Sequence, residues 1–161
     1  MEQKSREEWT FSSPLGAIRA GFSGGALACL DFAEAGAKPA RKPSPAAEKL
    51  RRELNEYFAG KRRAFDLPLA AEGTPFQKRV WDELCRIPFG ETRSYGEIAA
   101  AVGSAGAARA VGTACRCNPI CILVPCHRVV GAGGALTGYA GGLDRKRALL
   151  ELEMFGPAKH S

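Results

Sequence analysis

The sequence predicts an α+β fold: a small N-terminal α/β sheet domain over residues 1–70, then a mainly helical C-terminal domain over residues 74–155 with a helix-turn-helix and an active-site loop. Three observations predict it. Apolar residues from Trp9 to Phe32 are interrupted by Ser13-Pro14-Leu15-Gly16 and Ser23-Gly24-Gly25, the pattern of short strands joined by tight turns. The character of the chain changes between Ala70 and Gly73. Beyond that point, two capping-box sequences introduce apolar residues at helical spacing.

In the first half, Phe11, Ile18, Phe22, Leu27, Leu30 and Phe32 supply the apolar positions of the sheet. Residues 33–43 are small, Pro-containing and basic, so a loop is predicted there. Ser44 offers an N-cap, with Pro45 at the first helical position, where an N–H has no intrahelical partner to lose. The helix runs to about Phe58, with Leu50, Leu54, Tyr57 and Phe58 on one side and Gly60 as its stop. A short strand around Phe65 to Leu69 returns to the sheet. Nothing in this half suggests chemistry.

In the second half, Thr74-Pro75-Phe76-Gln77 opens a helix that turns Phe76, Val80, Trp81, Leu84 and Ile87 toward the core and ends at Pro88-Phe89-Gly90. Ser94-Tyr95-Gly96-Glu97 opens a short helix through Ala101 or Val102. A turn at Gly103 to Gly106 leads to another helix from Ala107 to about Cys117, which makes the pair a helix-turn-helix candidate. Ile120 to Val124 is apolar and β-prone, and is closed by Pro125-Cys126-His127-Arg128-Val129-Val130. A glycine-rich loop and a last helix from about Leu143 to Met154 follow, and the tail from Gly156 to Ser161 is expected to fray.

Hydrophobic residues at 45% and charged residues at 25% exclude a disordered chain. No apolar run approaches the roughly 20 residues that span a bilayer, and Met1 to Trp9 lacks the apolar core of a secretory signal. A cytoplasmic protein is therefore expected, with six cysteines serving as thiols, metal ligands or nucleophiles in place of disulfides. The formal net charge is +6, and no Asp or Glu occurs between Glu97 and Asp144, a stretch that holds Arg109, Arg116 and Arg128. Such a surface suits phosphates. It equally suits a basic protein with no polyanionic partner, and charge alone does not choose.

Candidate chemistry centres on Cys126-His127. A thiol with a reference pKa near ~8.5 needs a base to become a nucleophile, and a base needs an orienting group. His127 is such a base, with Glu151 or Glu153 on the last helix as the orienter. Neighbours in a regular strand point to opposite faces, so the pair works only if the chain turns at Pro125 or a water relays the proton. The bland alternative is a buried cysteine beside an ordinary histidine. Cys115, Cys117, Cys121 and Cys126 lie close in sequence, but their spacing lacks a C-x2-C pair and is poor for zinc. Cys29, Cys85, Cys115, Cys117 and Cys121 read instead as small core residues. The second helix of the pair, with Ala107, Ala108, Ala110, Gly112, Thr113 and Ala114 around Arg109, has little bulk and few groups for reading base edges. It fits close, sequence-indifferent docking, or simply a tightly packed core helix with Arg109 reaching solvent.

Pro125-Cys126-His127-Arg128-Val129, with Arg109-Ala110-Val111-Gly112 and Asn118-Pro119 before it and Tyr139-Ala140-Gly141-Gly142-Leu143 after it, resembles the O(6)-alkylguanine-DNA alkyltransferases, or methylated-DNA–protein-cysteine methyltransferases. The similarity runs from about Thr74 to Glu153. It implies a DNA-binding and alkyl-acceptor domain that moves an alkyl group, once and irreversibly, from O6-alkylguanine and O4-alkylthymine in DNA to Cys126. It further implies His127 as the base acting through a water, Glu153 as its orienter, and Asn118 as the hinge between the recognition helix and the active-site segment. Tyr95 is implied in rotating the nucleotide out and donating to the base, and Arg109 in filling the vacated stack. Ala110 and Arg116 belong to the same DNA-binding face. Tyr95, Val129, Tyr139 and Ala140 line the base pocket. The implied partner is double-stranded DNA carrying alkylated bases, met through the minor groove by a monomer with little sequence specificity. No cofactor, metal or membrane is implied. Cys126 is intact where some alkyltransferase-like relatives carry Trp, Ala140 stands where Ser is frequent, and the histidines of a zinc-binding N-terminal region are missing. An additional regulatory domain, and with it a transcriptional role, is not expected.

Overall fold

The computed structural model describes residues 7–33 and 43–157. The predicted loop at 33–43 lies, apart from its two ends, outside the described residues, as do residues 1–6 and 158–161 of the tail.

Strands β1 (Glu7–Phe11), β2 (Ile18–Ser23) and β3 (Ala26–Phe32) form an antiparallel sheet in the order β1-β2-β3. The register sets Trp9 opposite Ala20, Phe11 opposite Ile18, and Ala20 opposite Leu30, so one face is apolar and buried. Gly24 and Gly25 both take positive φ (59° and 82°) in the two-residue turn between β2 and β3. Side chains there would be strained, and the twist of such turns matches that of the strands they join. Helix α1 (Pro45–Phe58) begins with Ser44 Oγ accepting from the Ala47 N–H at 3.2 Å and covers the sheet with Ala47, Leu50, Leu54 and Tyr57. The segment at 65–69 is not a strand. It makes one parallel bridge, Leu27 to Leu69, because Pro68 has no N–H to extend a ladder.

Helix α2 (Pro75–Leu84) and helix α3 (Tyr95–Ala101) each carry the full reciprocal cap, Thr74 with Gln77 and Ser94 with Glu97. Helix α2 ends sooner than Pro88, and Ile87 is buried from the turn that follows it. Helix α4 (Ala108–Arg116) packs against α3 across the predicted turn, and Trp81 of α2 donates its indole N–H to the Ala114 carbonyl at 2.9 Å. Helix α5 (Leu143–Phe155) closes the fold over the 3-10 turn Cys126–Arg128. Two-residue strands β4 (Arg93–Ser94) and β5 (Val129–Val130) pair in parallel and hold the start of α3 beside that turn.

Residues 120–124 depart from the expected strand. Leu30 bridges Ile120, after which Ile122 takes a φ of 73° and the Val124 N–H returns to the Ile120 carbonyl at 3.1 Å. The apolar run signalled burial, not conformation: Ile120, Cys121, Ile122 and Val124 are all buried in a turn. A left-handed β-branched residue costs about 1–3 kcal/mol, sustained only where the surroundings over-determine it. Apolar side chains of both halves share one continuous core. Among the described residues, no helix is long and apolar enough to cross a membrane.

Candidate active site

The chain turns at Pro125, one of the two conditions under which Cys126 and His127 could work together. Cys126, His127 and Arg128 occupy a single 3-10 turn and are all buried, so their side chains leave it in three directions. Asn118, at the end of α4, organises the turn before it. Its Nδ2 donates to the Val124 carbonyl at 2.9 Å and to Cys126 Sγ at 3.1 Å, while its Oδ1 accepts from the Ile120 N–H at 2.9 Å.

His127 is fully buried, and its Nε2 lies 2.7 Å from Glu153 Oε2. The carboxylate is an acceptor, so Nε2 carries the hydrogen and Nδ1 keeps its lone pair. Nδ1 is buried with no hydrogen-bond partner among the described residues. Burial lowers the imidazole pKa against the opposing pull of Glu153, which favours the neutral, proton-accepting ring. Burial by itself pushes the Glu153 carboxyl up, but donors from His127, Arg128 and Tyr57 together hold it well below the usual carboxylate range. Arg128 Nε reaches Oε1 at 2.7 Å and Nη2 reaches Oε2 at 3.0 Å, while Nη1 donates to the Ile87 carbonyl at 2.7 Å. The Tyr57 hydroxyl donates to Oε2 at 2.6 Å. Glu151, the other candidate orienter, is exposed and takes no part.

Tyr95 opens α3 beside this turn and is half-buried; burial raises its pKa, so the phenol keeps its proton. Its oxygen accepts from Thr137 Oγ1 at 3.1 Å, and the buried Lys146, whose Nζ donates to the Thr137 carbonyl at 2.6 Å, lies 5.9 Å from its ring centre. Gly112 of α4 faces the same ring, where an added Cβ would stand 3.8 Å from Tyr95 Cε1. Val129 is fully buried in β5. Tyr139 is half-buried and Ala140 exposed in the glycine-rich loop, which lies so close to β3 that a Cβ on Gly141 would fall 2.9 Å from the rings of both Phe32 and Tyr139. Helix α4 turns Val111, Ala114 and Cys115 inward and Arg109, Ala110, Thr113 and Arg116 to solvent. Arg109 therefore stands on an open small-residue face, not in a packed core.

The cysteines divide differently from expectation. Cys115 and Cys121 are buried, and burial pushes the Cys115 thiol up to about 11. Cys85 and Cys117 are exposed, because each sits at the C-cap of its helix, and Cys29 is half-buried. Their closeness in sequence does not become a ligand set: among the described residues no three His, Cys, Asp or Glu side chains are grouped to hold a metal ion. Three contributors escaped the sequence reading. Sequence alone presents Arg128 as positive charge and as a motif position without a role, presents Tyr57 as an apolar position in a half without chemistry, and does not single out Lys146. Arg128 immediately after Cys126-His127 was the one available signal.

Two family models match the chain, one described as the 6-O-methylguanine DNA methyltransferase DNA-binding domain over residues 75–155, the other as the ribonuclease-like domain of the same methyltransferase over residues 9–71. The methylated-DNA–protein-cysteine methyltransferase of Mycobacterium bovis is 53% identical over 148 residues, covering 89% of this chain and 90% of its own. That of Methanosarcina barkeri is 50% identical over 147 residues, covering 88% and 92%. Among solved structures, Mycobacterium tuberculosis O6-methylguanine methyltransferase superposes with a TM-score of 0.84 at 49% identity over 97% of each chain. Mycobacterium tuberculosis OGT in complex with DNA superposes with a TM-score of 0.83 at 51% identity over 92% of each.

Proposed function

This chain belongs to the 6-O-methylguanine DNA methyltransferase family, and on that premise we propose that it repairs DNA as a methylated-DNA–protein-cysteine S-methyltransferase with Cys126 as the acceptor. The observation that carries the reading is the buried turn in which Asn118 addresses the Cys126 sulfur and Glu153 holds the imidazole of His127. His127 Nδ1 takes the thiol proton through a water. The thiolate attacks the methyl carbon of O6-methylguanine, the S–C bond forms as the C–O bond breaks, and the electron pair stays on guanine. Tyr95 donates a hydrogen bond to the base as that charge develops. The proton surrendered by Cys126 balances the one that guanine acquires. The chemistry applies equally to the alkylated oxygen of O4-alkylthymine.

A thioether offers general-base chemistry no leaving group, so each molecule acts once. A stacked base presents its alkylated oxygen out of line for attack, so the nucleotide is flipped at a cost of a few kcal/mol, less for a weakened pair. The open face of α4, with Arg109, Ala110 and Arg116, enters the minor groove, where few side chains read sequence. Arg109 fills the gap in the stack, and backbone groups at Val129, Tyr139 and Ala140 line the pocket. The protein works as a monomer without a cofactor. The relative solved with DNA supports the reading.

The test replaces Cys126 with Ser. The wild type should gain one methyl on the peptide containing Cys126 after incubation with a duplex holding O6-methylguanine, and Cys126→Ser should gain none while still binding the duplex. Methylation on any other residue, or repair by the serine variant, contradicts the assignment.

A further inference from the structure

We propose that Tyr57 is a positioning residue of the transfer reaction: its hydroxyl shares Glu153 Oε2 with His127, so the N-terminal half of the chain helps hold the imidazole in its proton-accepting form. The inference rests on the reading of Cys126 as methyl acceptor, but the coupling itself does not need DNA to be observed.

Tyr57 sits in α1, 96 residues from Glu153 along the chain, and is completely buried. Its ring packs among Phe58, Phe65 and Phe89, with centroids 5.3, 5.5 and 6.2 Å away. A phenylalanine would serve that packing as well. What the hydroxyl adds is the 2.6 Å bond to Oε2, the same oxygen that accepts from His127 Nε2 at 2.7 Å and from Arg128 Nη2 at 3.0 Å. Oε1 is occupied by Arg128 Nε and faces the Gly90 N–H at 3.4 Å.

A carboxylate has a limited number of lone pairs and one charge to divide among its donors. The charged and titratable groups facing the imidazole are Glu153 from α5, which favours its protonation, and Arg128 and Lys146, which oppose it. Tyr57 acts on the first of these. As a neutral donor, kept protonated by burial and by the carboxylate it faces, it draws density from Oε2 that His127 would otherwise receive. It also fixes the plane of the carboxylate, and with it the Nε2–H tautomer that leaves the Nδ1 lone pair free. Without the hydroxyl, Oε2 pulls harder on His127, the imidazolium gains stability, and the base is lost to protonation at a higher pH.

The experiment follows the ring nitrogens of His127, one of two histidines in the chain, by 15N NMR against pH in wild type and Tyr57→Phe, beside the pH profile of methyl transfer from duplex. In Tyr57→Phe the His127 titration and the acid limb of the rate should both move upward by on the order of one unit, with roughly tenfold slower transfer below the limb. Phe65→Leu, which trims the same aromatic cluster, should lower Tm and move neither. An unmoved His127 titration in folded Tyr57→Phe, or an equal movement in Phe65→Leu, overturns the proposal. Should Tyr57→Phe not fold, 3-fluorotyrosine incorporated at the three tyrosines strengthens the donor, and the titration must move downward; no movement overturns the proposal here too. A wild type that takes no methyl contradicts the function alone, because the His127 titration still judges the coupling.

Discussion

The Nδ2 group of Asn118 stands 3.1 Å from the sulfur of Cys126, and the same side chain ties the Val124 carbonyl and the Ile120 N–H of the turn that brings the cysteine into place. One residue thus shapes the loop and addresses the sulfur.

Asn118→Ala should therefore lose on both counts. Two buried backbone groups lose their partner at about 1–3 kcal/mol, readable as a lower urea midpoint. Methyl transfer should slow by roughly ten- to a hundredfold, the equivalent of one hydrogen bond to a charged group. A variant that is destabilised but transfers methyl at the wild-type rate shows that the contact to sulfur has no part in the reaction.

Glu153→Gln keeps the shape and removes the charge that Arg128 requires. Breaking a buried ion pair from one side costs about 3–5 kcal/mol, so thermal denaturation should show a large fall in Tm, and transfer should be almost abolished. Arg128→Met should lower Tm less than Glu153→Gln, since the carboxylate it leaves behind keeps donors from Tyr57 and His127, whereas a guanidinium without Glu153 keeps only the Ile87 carbonyl. The reverse order contradicts a carboxylate held by Tyr57 and His127 as well as by Arg128.

Acid should weaken the fold in two stages. The folded pKa of His127 is depressed by burial, so the unfolded chain binds the extra proton first and stability falls as pH drops below about 6.5. Glu153 is also depressed, by its donors against burial; its stabilisation is present above the unfolded value of about 4.3 and drains away below it. Urea midpoints measured from pH 8 to pH 3 should decline through both windows. A midpoint that is level between pH 7 and pH 5 contradicts a buried neutral imidazole.

Arg109 lies on the exposed face of α4. Arg109→Ala should slow transfer from duplex by roughly tenfold or more, a few kcal/mol of unstacking no longer offset, while reaction with the free base O6-methylguanine is unchanged. Equal loss on both substrates argues against a role in the stack.

Much of this arrangement is legible in the sequence where the cause is local. Both capping boxes, the Ser44 cap and the small-residue make-up of α4 depend on residues three or four apart, and each forms where its letters stand. The pairing of His127 with Glu153 is legible as one of two alternatives raised by residue chemistry, and the place of Asn118 beside Cys126 through a resemblance that runs from about Thr74 to Glu153. Legibility fails where a partner is distant or where burial mimics a pattern. Tyr57 meets Glu153 across 96 residues, and an amphipathic helix reads its position as packing only. Arg128 looks like surface charge until Glu153 neutralises it. The apolar stretch at 120–124 has the composition of a strand, yet a buried turn needs the same residues. Cys85 and Cys117 are small enough for a core, but helix ends face water.

The most direct test of the account is stoichiometry. Purified protein is mixed with a tenfold excess of duplex carrying O6-methylguanine, and the repaired guanine and the intact protein mass are measured over time. Repair should stop at one guanine per protein, with every molecule heavier by a single methyl on Cys126. Repair that continues past one equivalent, or that proceeds with the protein mass unchanged, contradicts it.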